Sequence, residues 1–201
     1  MPGEENKFVG DKCFVITNPS HKHFYLYGTD PDEIQIVDIA NSVSKQCRWV
    51  GHLAEDKWFS TAEHMVTVAE IVRHLGGDLR QQRQALLHDA PEAYLSDIAA
   101  PFKHELGNYY EKENLIWTRI AAKFDVDVAM DPLVKHADWL SLYLEVKHFV
   151  FPEDPTKASS FVGYDQYARE AWCLPIEPLG LDYRAARIKY LHAYDVLFGG
   201  A

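Results

Sequence analysis

His64, the adjacent pair His88-Asp89, and Asp138 are the residues whose types and spacing point to chemistry. Two imidazoles and two carboxylates form a mixed nitrogen and oxygen set, suited to Mn, Fe, Co, Ni, Zn or Mg according to geometry. Each has an ordinary explanation when taken alone. His64 would serve as a hydrogen-bonded core histidine, Asp138 as a partner of His136 or Lys135, and His88-Asp89 as a helix C-terminal pair. Together they would need four unrelated buried partners, whereas one divalent ion satisfies all of them. Four protein ligands on a six-coordinate ion leave two positions for water and substrate, which is the open site that metal-assisted hydrolysis requires. Glu92 and Asp97 follow the doublet at short distances. On composition alone they would be solvated turn carboxylates or caps.

The elements that must position these groups are helical. Ser60-Thr61-Ala62-Glu63 has the form of a capping box, and His64, Val68, Ile71, Val72 and Leu75 then share one helical face, so His64 points inward. Gly76-Gly77 ends that helix, and Asp78 can cap a second one that carries Ala85, Leu86 and Leu87 into the doublet. Pro91 removes an amide donor and disfavours helix at Ala90, so the chain should bend or restart there and present Glu92 from a turn or a new first turn. A helix is expected over 109–124, and Asp131-Pro132 should start a long one containing Asp138. Upstream, Ile36, Ile39, Ala40, Val43 and Cys47 recur at helical spacing and lead into Arg48-Trp49-Val50-Gly51-His52, where Gly51 is a stop. Residues 1–33 read as a loop-rich cover with one short hairpin from the β-prone runs at 13–16 and 24–27. Residues 151–163 read as a loop able to move over a site, and 182–198 as a final helix. The fold class is all-α: one domain over 1–201, with a core at about 33–148 and the segment 149–201 packed on it.

Composition narrows the partners. Thirty acidic against twenty basic residues give a formal charge of -10, with no Lys/Arg-rich block, so a surface for duplex nucleic acid is not expected. Local basic groups and an ion can still hold a small phosphorylated substrate. The N-terminus lacks a signal pattern, and no run approaches the roughly 20 apolar residues of a membrane span, so a soluble, cytoplasmic protein is expected. Cys13, Cys47 and Cys173 are widely spaced among apolar neighbours and read as reduced core cysteines.

The ordered set His64, His88-Asp89 and Asp138 resembles the H…HD…D signature of the HD-domain metal-dependent phosphohydrolases. Ser60–His64, Ala85–Tyr94, Asp97-Ile98 with Pro101-Phe102-Lys103, and Lys135–Asp138 look like the branch of bacterial 5'-deoxynucleotidases and phage nucleotide phosphohydrolases. The likeness spans about residues 33–148. It implies a compact multi-helix bundle around a divalent metal ion (Mn, Co, Zn, Fe or Mg), with His64, His88, Asp89 and Asp138 as ligands. Glu92 would be the general acid or base, and Asp97 would orient or activate the water. Arg48 matches the family's phosphate-reaching arginine, with Trp49 beside it to stack on or border a sugar or base. His52 and Lys103 are further candidate phosphate contacts, each equally a surface or core residue.

The expected activity is hydrolysis of phosphate from (deoxy)nucleotides, either 5'-monophosphates or triphosphates, and the resemblance implies a homodimer or higher homo-oligomer. Guanosine tetraphosphate hydrolases would carry an acid pair where this chain has Glu92-Ala93. Cyclic-dinucleotide hydrolases would add a Gly-Tyr-Pro segment, and di-iron oxygenases further histidines; His104 and His136 lack that context. The alternative of a different class is a non-catalytic metal-containing nucleotide-binding or sensor module, against which Glu92 and Asp97 argue.

Overall fold

The computed structural model describes residues 13–161 and 163–199, so the reading of residues 1–12 as loop lies outside it. Strands β1 (Phe14–Ile16) and β2 (His23–Tyr25) form an antiparallel hairpin that pairs Phe14 with Tyr25, Val15 with Phe24 and Ile16 with His23. The two-residue period of the strand sends Phe24 into the core, where it stacks on Tyr94. The rest is helical: α1 (Ile36–Val43), α2 (Thr61–His74), α3 (Leu79–Leu87), α4 (Glu92–Leu95), α5 (Ala100–Lys103), α6 (Tyr109–Phe124), α7 (Pro132–Glu145), α8 (Tyr164–Ala171) and α9 (Tyr183–Phe198). This is the mostly α architecture expected.

Helix α2 is the axis of the bundle. Its sequence reads as amphipathic, yet Thr61–Ala69 are buried on every side, because α3, α7 and α9 all pack against it. The N-terminus is capped through Ser60 Oγ, which accepts from the Glu63 amide at 3.2 Å. The other half of the expected box is not made. The Glu63 carboxylate turns instead to three backbone N–H groups, accepting from Leu179 and Leu181 at 2.6 and 2.8 Å and from Gly180 at 3.1 Å. Such a run of amides makes an anion-binding concavity. Gly180 has φ +69, and a Cβ there would lie 2.9 Å from the Phe149 ring and 3.0 Å from the Trp58 carbonyl. Glu63→Ala would leave three partly exposed amides without their acceptor, so a loss of about 1–3 kcal/mol in chemical denaturation is expected.

Other starts and stops follow local chemistry. Helix α3 has a complete capping box between Asp78 and Gln81. Asp131 accepts from the Leu133 amide at 2.7 Å with Pro132 in the first turn of α7. Helix α1 ends at Val43, short of the expected Cys47. Backbone bonds from Arg48 to Phe59 (2.9 Å) and from Thr61 to Gln46 (3.1 Å) draw that segment into a bridge beside Ser60 instead. Within 151–163, Pro155–Ser160 form a 3-10 turn, and α8, which has no clear sequence signature, follows. The cysteines are free, but none is core: Cys13 and Cys47 are half-buried and Cys173 is exposed. Among the described residues no helix is long and apolar enough to cross a membrane.

Candidate metal centre

Three helical elements deliver the site. His64 comes from the first turn of α2, His88 and Asp89 from the turn leaving α3, and Asp138 from the middle of α7. The π-turn Val146–Val150 begins directly after Glu145, the last residue of α7.

Hydrogen bonds settle which imidazole nitrogen faces the site. His64 Nδ1 lies 2.7 Å from Glu145 Oε1 and 3.1 Å from Ser141 Oγ. His88 Nδ1 lies 2.7 Å from the Ala85 carbonyl. An ionised carboxylate and a carbonyl only accept, so both rings carry hydrogen on Nδ1 and, when neutral, present a lone pair on Nε2. Those two Nε2 atoms are 3.2 Å apart. Asp138 Oδ1 is 3.1 Å from His64 Nε2 and 3.7 Å from His88 Nε2, and Asp89 Oδ2 is 3.3 Å from each.

The two Nε2 atoms and an Asp138 carboxylate oxygen converge, all within 4.8 Å of one another, and Asp89 Oδ2 approaches both imidazoles from outside that group. With metal–ligand bonds of about 2.1 Å, adjacent ligands of an octahedron stand about 3.0 Å apart, and those of a tetrahedron slightly further, so the spacing fits one ion. His64, His88 and Asp138 thus form a group able to hold a metal. Burial alone would lower the histidine pKa values, but the Asp89 and Asp138 carboxylates override it and raise His88 to about 10. Burial and Arg48 oppose the rise of His64, which Glu145, Asp138 and Asp89 nevertheless raise well above the ordinary histidine value. Burial would raise both aspartates, and the two histidines instead hold them below the ordinary carboxylate range.

Glu145 is the residue that sequence reasoning missed. It is fully buried and accepts from His64 Nδ1, from Arg48 Nε at 3.0 Å and from Trp49 Nε1 at 2.8 Å. The available signal was spacing, since Asp138, Ser141 and Glu145 fall on one face of α7. A carboxylate behind a metal-binding imidazole fixes its orientation and raises its basicity. Glu145→Gln is therefore expected to weaken metal affinity about 10- to 100-fold in competition with a fluorescent chelator.

The candidate acids lie on the next turn. Pro91 precedes α4, as its chemistry requires, and Glu92 opens that helix almost wholly buried. Glu92 Oε1 accepts from Lys103 Nζ at 3.2 Å, while Oε2 is buried without a hydrogen-bond partner among the described residues. Burial, then the charges of Asp89 and Asp97, push its pKa up to about 8 against Lys103 and Arg48. Asp97 is half-buried and also raised, by burial first and then by Asp89, against Arg48.

Arg48 reaches the site too, with Nη1 3.5 Å from Asp89 Oδ2 and Nε bound to Glu145. Trp49 and Val50 have φ +60 and +54, and for a β-branched valine this left-handed conformation is strained. The turn aims the Trp49 N–H at Glu145 and stacks its ring on Phe161, so the 151–161 segment is tied to the site. Lys103 pairs with Glu92 and Glu113 and lies over the Tyr109 ring. His52 is exposed beyond the left-handed turn and is not among the converging groups.

These features define a helical protein with a two-histidine, carboxylate centre beside paired acids. No protein-family model matches the chain. It is 39% identical over 126 residues to the uncharacterized protein YfdR of Escherichia coli (strain K12), covering 63% of this chain and 67% of YfdR. It is 30% identical over 135 residues to the uncharacterized protein RCAP_rcc00048 of Rhodobacter capsulatus, covering 64% of this chain and 69% of that protein. The chain belongs to the family of these two proteins.

Proposed function

We propose that the protein is a metal-dependent phosphohydrolase of the HD-domain class that acts on (deoxy)nucleotides, with His64, His88, Asp89 and Asp138 as ligands. The observation that carries this reading is the convergence of two Nε2 atoms and an Asp138 oxygen, with Asp89 Oδ2 3.3 Å from each Nε2, beside the buried Glu92. A divalent ion of the Mn, Co, Zn, Fe or Mg group supplies Lewis acidity toward a phosphoryl oxygen and makes water more acidic. Glu92 holds a transferable proton near neutral pH, and it serves the attacking water or the leaving oxygen. Asp97, on the same turn, orients that water. Arg48, anchored through Nε to Glu145, turns its Nη edge toward the phosphate, where a planar guanidinium suits paired oxygens.

Charge balance supports one phosphate rather than three. Arg48 is already paired with Glu145 and Asp89, and Lys103 with Glu92 and Glu113, so the side chains offer little surplus positive charge. A triphosphate would need more cations than these. The test is phosphate release with product chromatography on deoxynucleoside mono-, di- and triphosphates in Mn, Co, Zn and Mg. Nucleoside and inorganic phosphate from a 5'-monophosphate are the expected products, and selective turnover of triphosphates would reverse the substrate assignment. Absence of release with every ion would sink the hydrolase reading in favour of the metal-containing sensor module.

A further inference from the structure

Glu92 and Asp97 sit on a segment that cannot hold its own shape. Helix α4 is a single turn of four residues without a side-chain cap, and isolated helices of that length are unstable. Ser96, between the two acids, has φ +71, a left-handed value that a non-glycine residue adopts only under external constraint. The constraint comes from other parts of the chain: the Tyr109 hydroxyl donates to the Ser96 carbonyl at 3.2 Å, and Gln46 holds the residues on either side. Gln46 Nε2 donates to the Glu92 carbonyl at 2.9 Å and to Ser42 Oγ at 3.1 Å, while its Oε1 accepts from the Asp97 amide at 2.9 Å. Ser42 Oγ donates in turn to the Ala93 carbonyl at 2.9 Å. One side-chain amide therefore grips the backbone of both acids at once. Ser42, Gln46 and Ala93 also line a cavity of about 660 Å³, while Ala93, Tyr94 and Leu95 pack on the core, so the hydrogen bonds to Gln46 add to that packing in setting the backbone of the two acids.

Gln46 is itself fixed to the rest of the site. Its carbonyl accepts from the Thr61 amide at 3.1 Å at the start of the helix bearing His64, and Arg48 follows two residues later. We infer that Gln46 is the positioning residue that sets Glu92 and Asp97 in register with the His64, His88 and Asp138 group. The inference rests on the hydrolase reading for its catalytic meaning, but the clamp can be measured without turnover.

Gln46→Met keeps the side-chain length and removes the three hydrogen bonds of the side-chain amide, leaving the backbone bond to Thr61 in place. Gln46→Glu keeps an acceptor for the Asp97 amide and loses the donors. The experiment compares both with wild type by metal content, by KM and kcat on a deoxynucleoside 5'-monophosphate, and by hydrogen exchange at the Asp97 amide. Expected for Gln46→Met is unchanged metal content, KM within about twofold, kcat lower by about 10- to 100-fold, and faster exchange at Asp97, since small misplacements of catalytic groups cost this much. Gln46→Glu should retain more Asp97 protection than Gln46→Met, and it supplies the comparison if the latter does not fold. Wild-type kcat in the folded variants, or a lowered kcat with Asp97 exchange as slow as in wild type, would overturn the inference. If the wild-type protein hydrolyses no nucleotide, the functional reading fails while exchange at Asp97 still decides the clamp: faster exchange supports it and unchanged exchange overturns it.

Discussion

Asp138→Asn is expected to give a folded protein that binds metal poorly and, on the hydrolase proposal, turns over little substrate. Asp138 is the most exposed of the four proposed ligands, with 45% of its side chain accessible, so the substitution removes little packing. Its Oδ1 nevertheless lies within 3.7 Å of both imidazole Nε2 atoms, and a neutral amide oxygen there is a much weaker partner for a divalent cation. Changes to groups behind a ligand already cost 10- to 100-fold in affinity, and replacing a ligand should cost at least about that much. Elemental analysis after exhaustive dialysis should find metal in wild type and under about a tenth as much in the variant, with hydrolysis falling in parallel. Equal metal content in both proteins would take Asp138 out of the ligand set.

Glu92→Gln separates binding from turnover. The amide keeps the shape of the side chain and can still accept from Lys103, but it cannot move a proton. Loss of a general acid or base typically costs about 10²- to 10⁴-fold, so kcat should fall by that amount while metal content and nucleotide affinity remain. Stability should move the opposite way. Burial and the neighbouring acids hold the Glu92 carboxyl up at about 8 in the fold, against an ordinary value of 4.5. A carboxyl raised on folding favours the protonated native state, so its contribution is fully present below the unfolded value and is lost as pH rises through about 8. A side chain with nothing to titrate escapes that loss. Metal-free Glu92→Gln should therefore melt above metal-free wild type at pH 9, with the difference shrinking towards pH 5. An equal offset at both pH values would show that burial does not hold the proton on Glu92.

What could be read from the sequence was whatever is decided within one helical turn or by the facing of a helix. Asp131-Pro132 announces α7 because a side-chain cap and a missing amide are local chemistry, and 109–124 shows its periodicity without reference to any other segment. His64 can be placed inward because its neighbours at helical spacing are apolar. Pro91 foretells the break that separates His88-Asp89 from Glu92 for the same reason.

The residues that stayed hidden act through partners distant in the chain. Glu145 lies between Leu144 and Val146 and resembles an interruption in an apolar run until Arg48 and His64 are brought against it. Gln46 is an unremarkable amide in sequence, since its partners Glu92 and Asp97 reach it only after the helices dock. The left-handed conformation of Trp49 and Val50 violates local preference and so cannot be inferred from it. Glu63 was legible as half of a cap, but the segment it holds begins more than a hundred residues later.

That grip of Glu63 on residues 179–181 bears on where the chain can be shortened. The carboxylate is buried one position before His64, and α9, which follows the gripped segment, covers α1, α2 and α3. Truncation ahead of residue 179 would strip three amides from a charge buried beside a proposed ligand and uncover the bundle's axial helix. The C-terminal portion is thus a structural wall of the centre although it supplies none of the proposed ligands, and a minimal fragment drawn around His64–Asp138 alone would omit it.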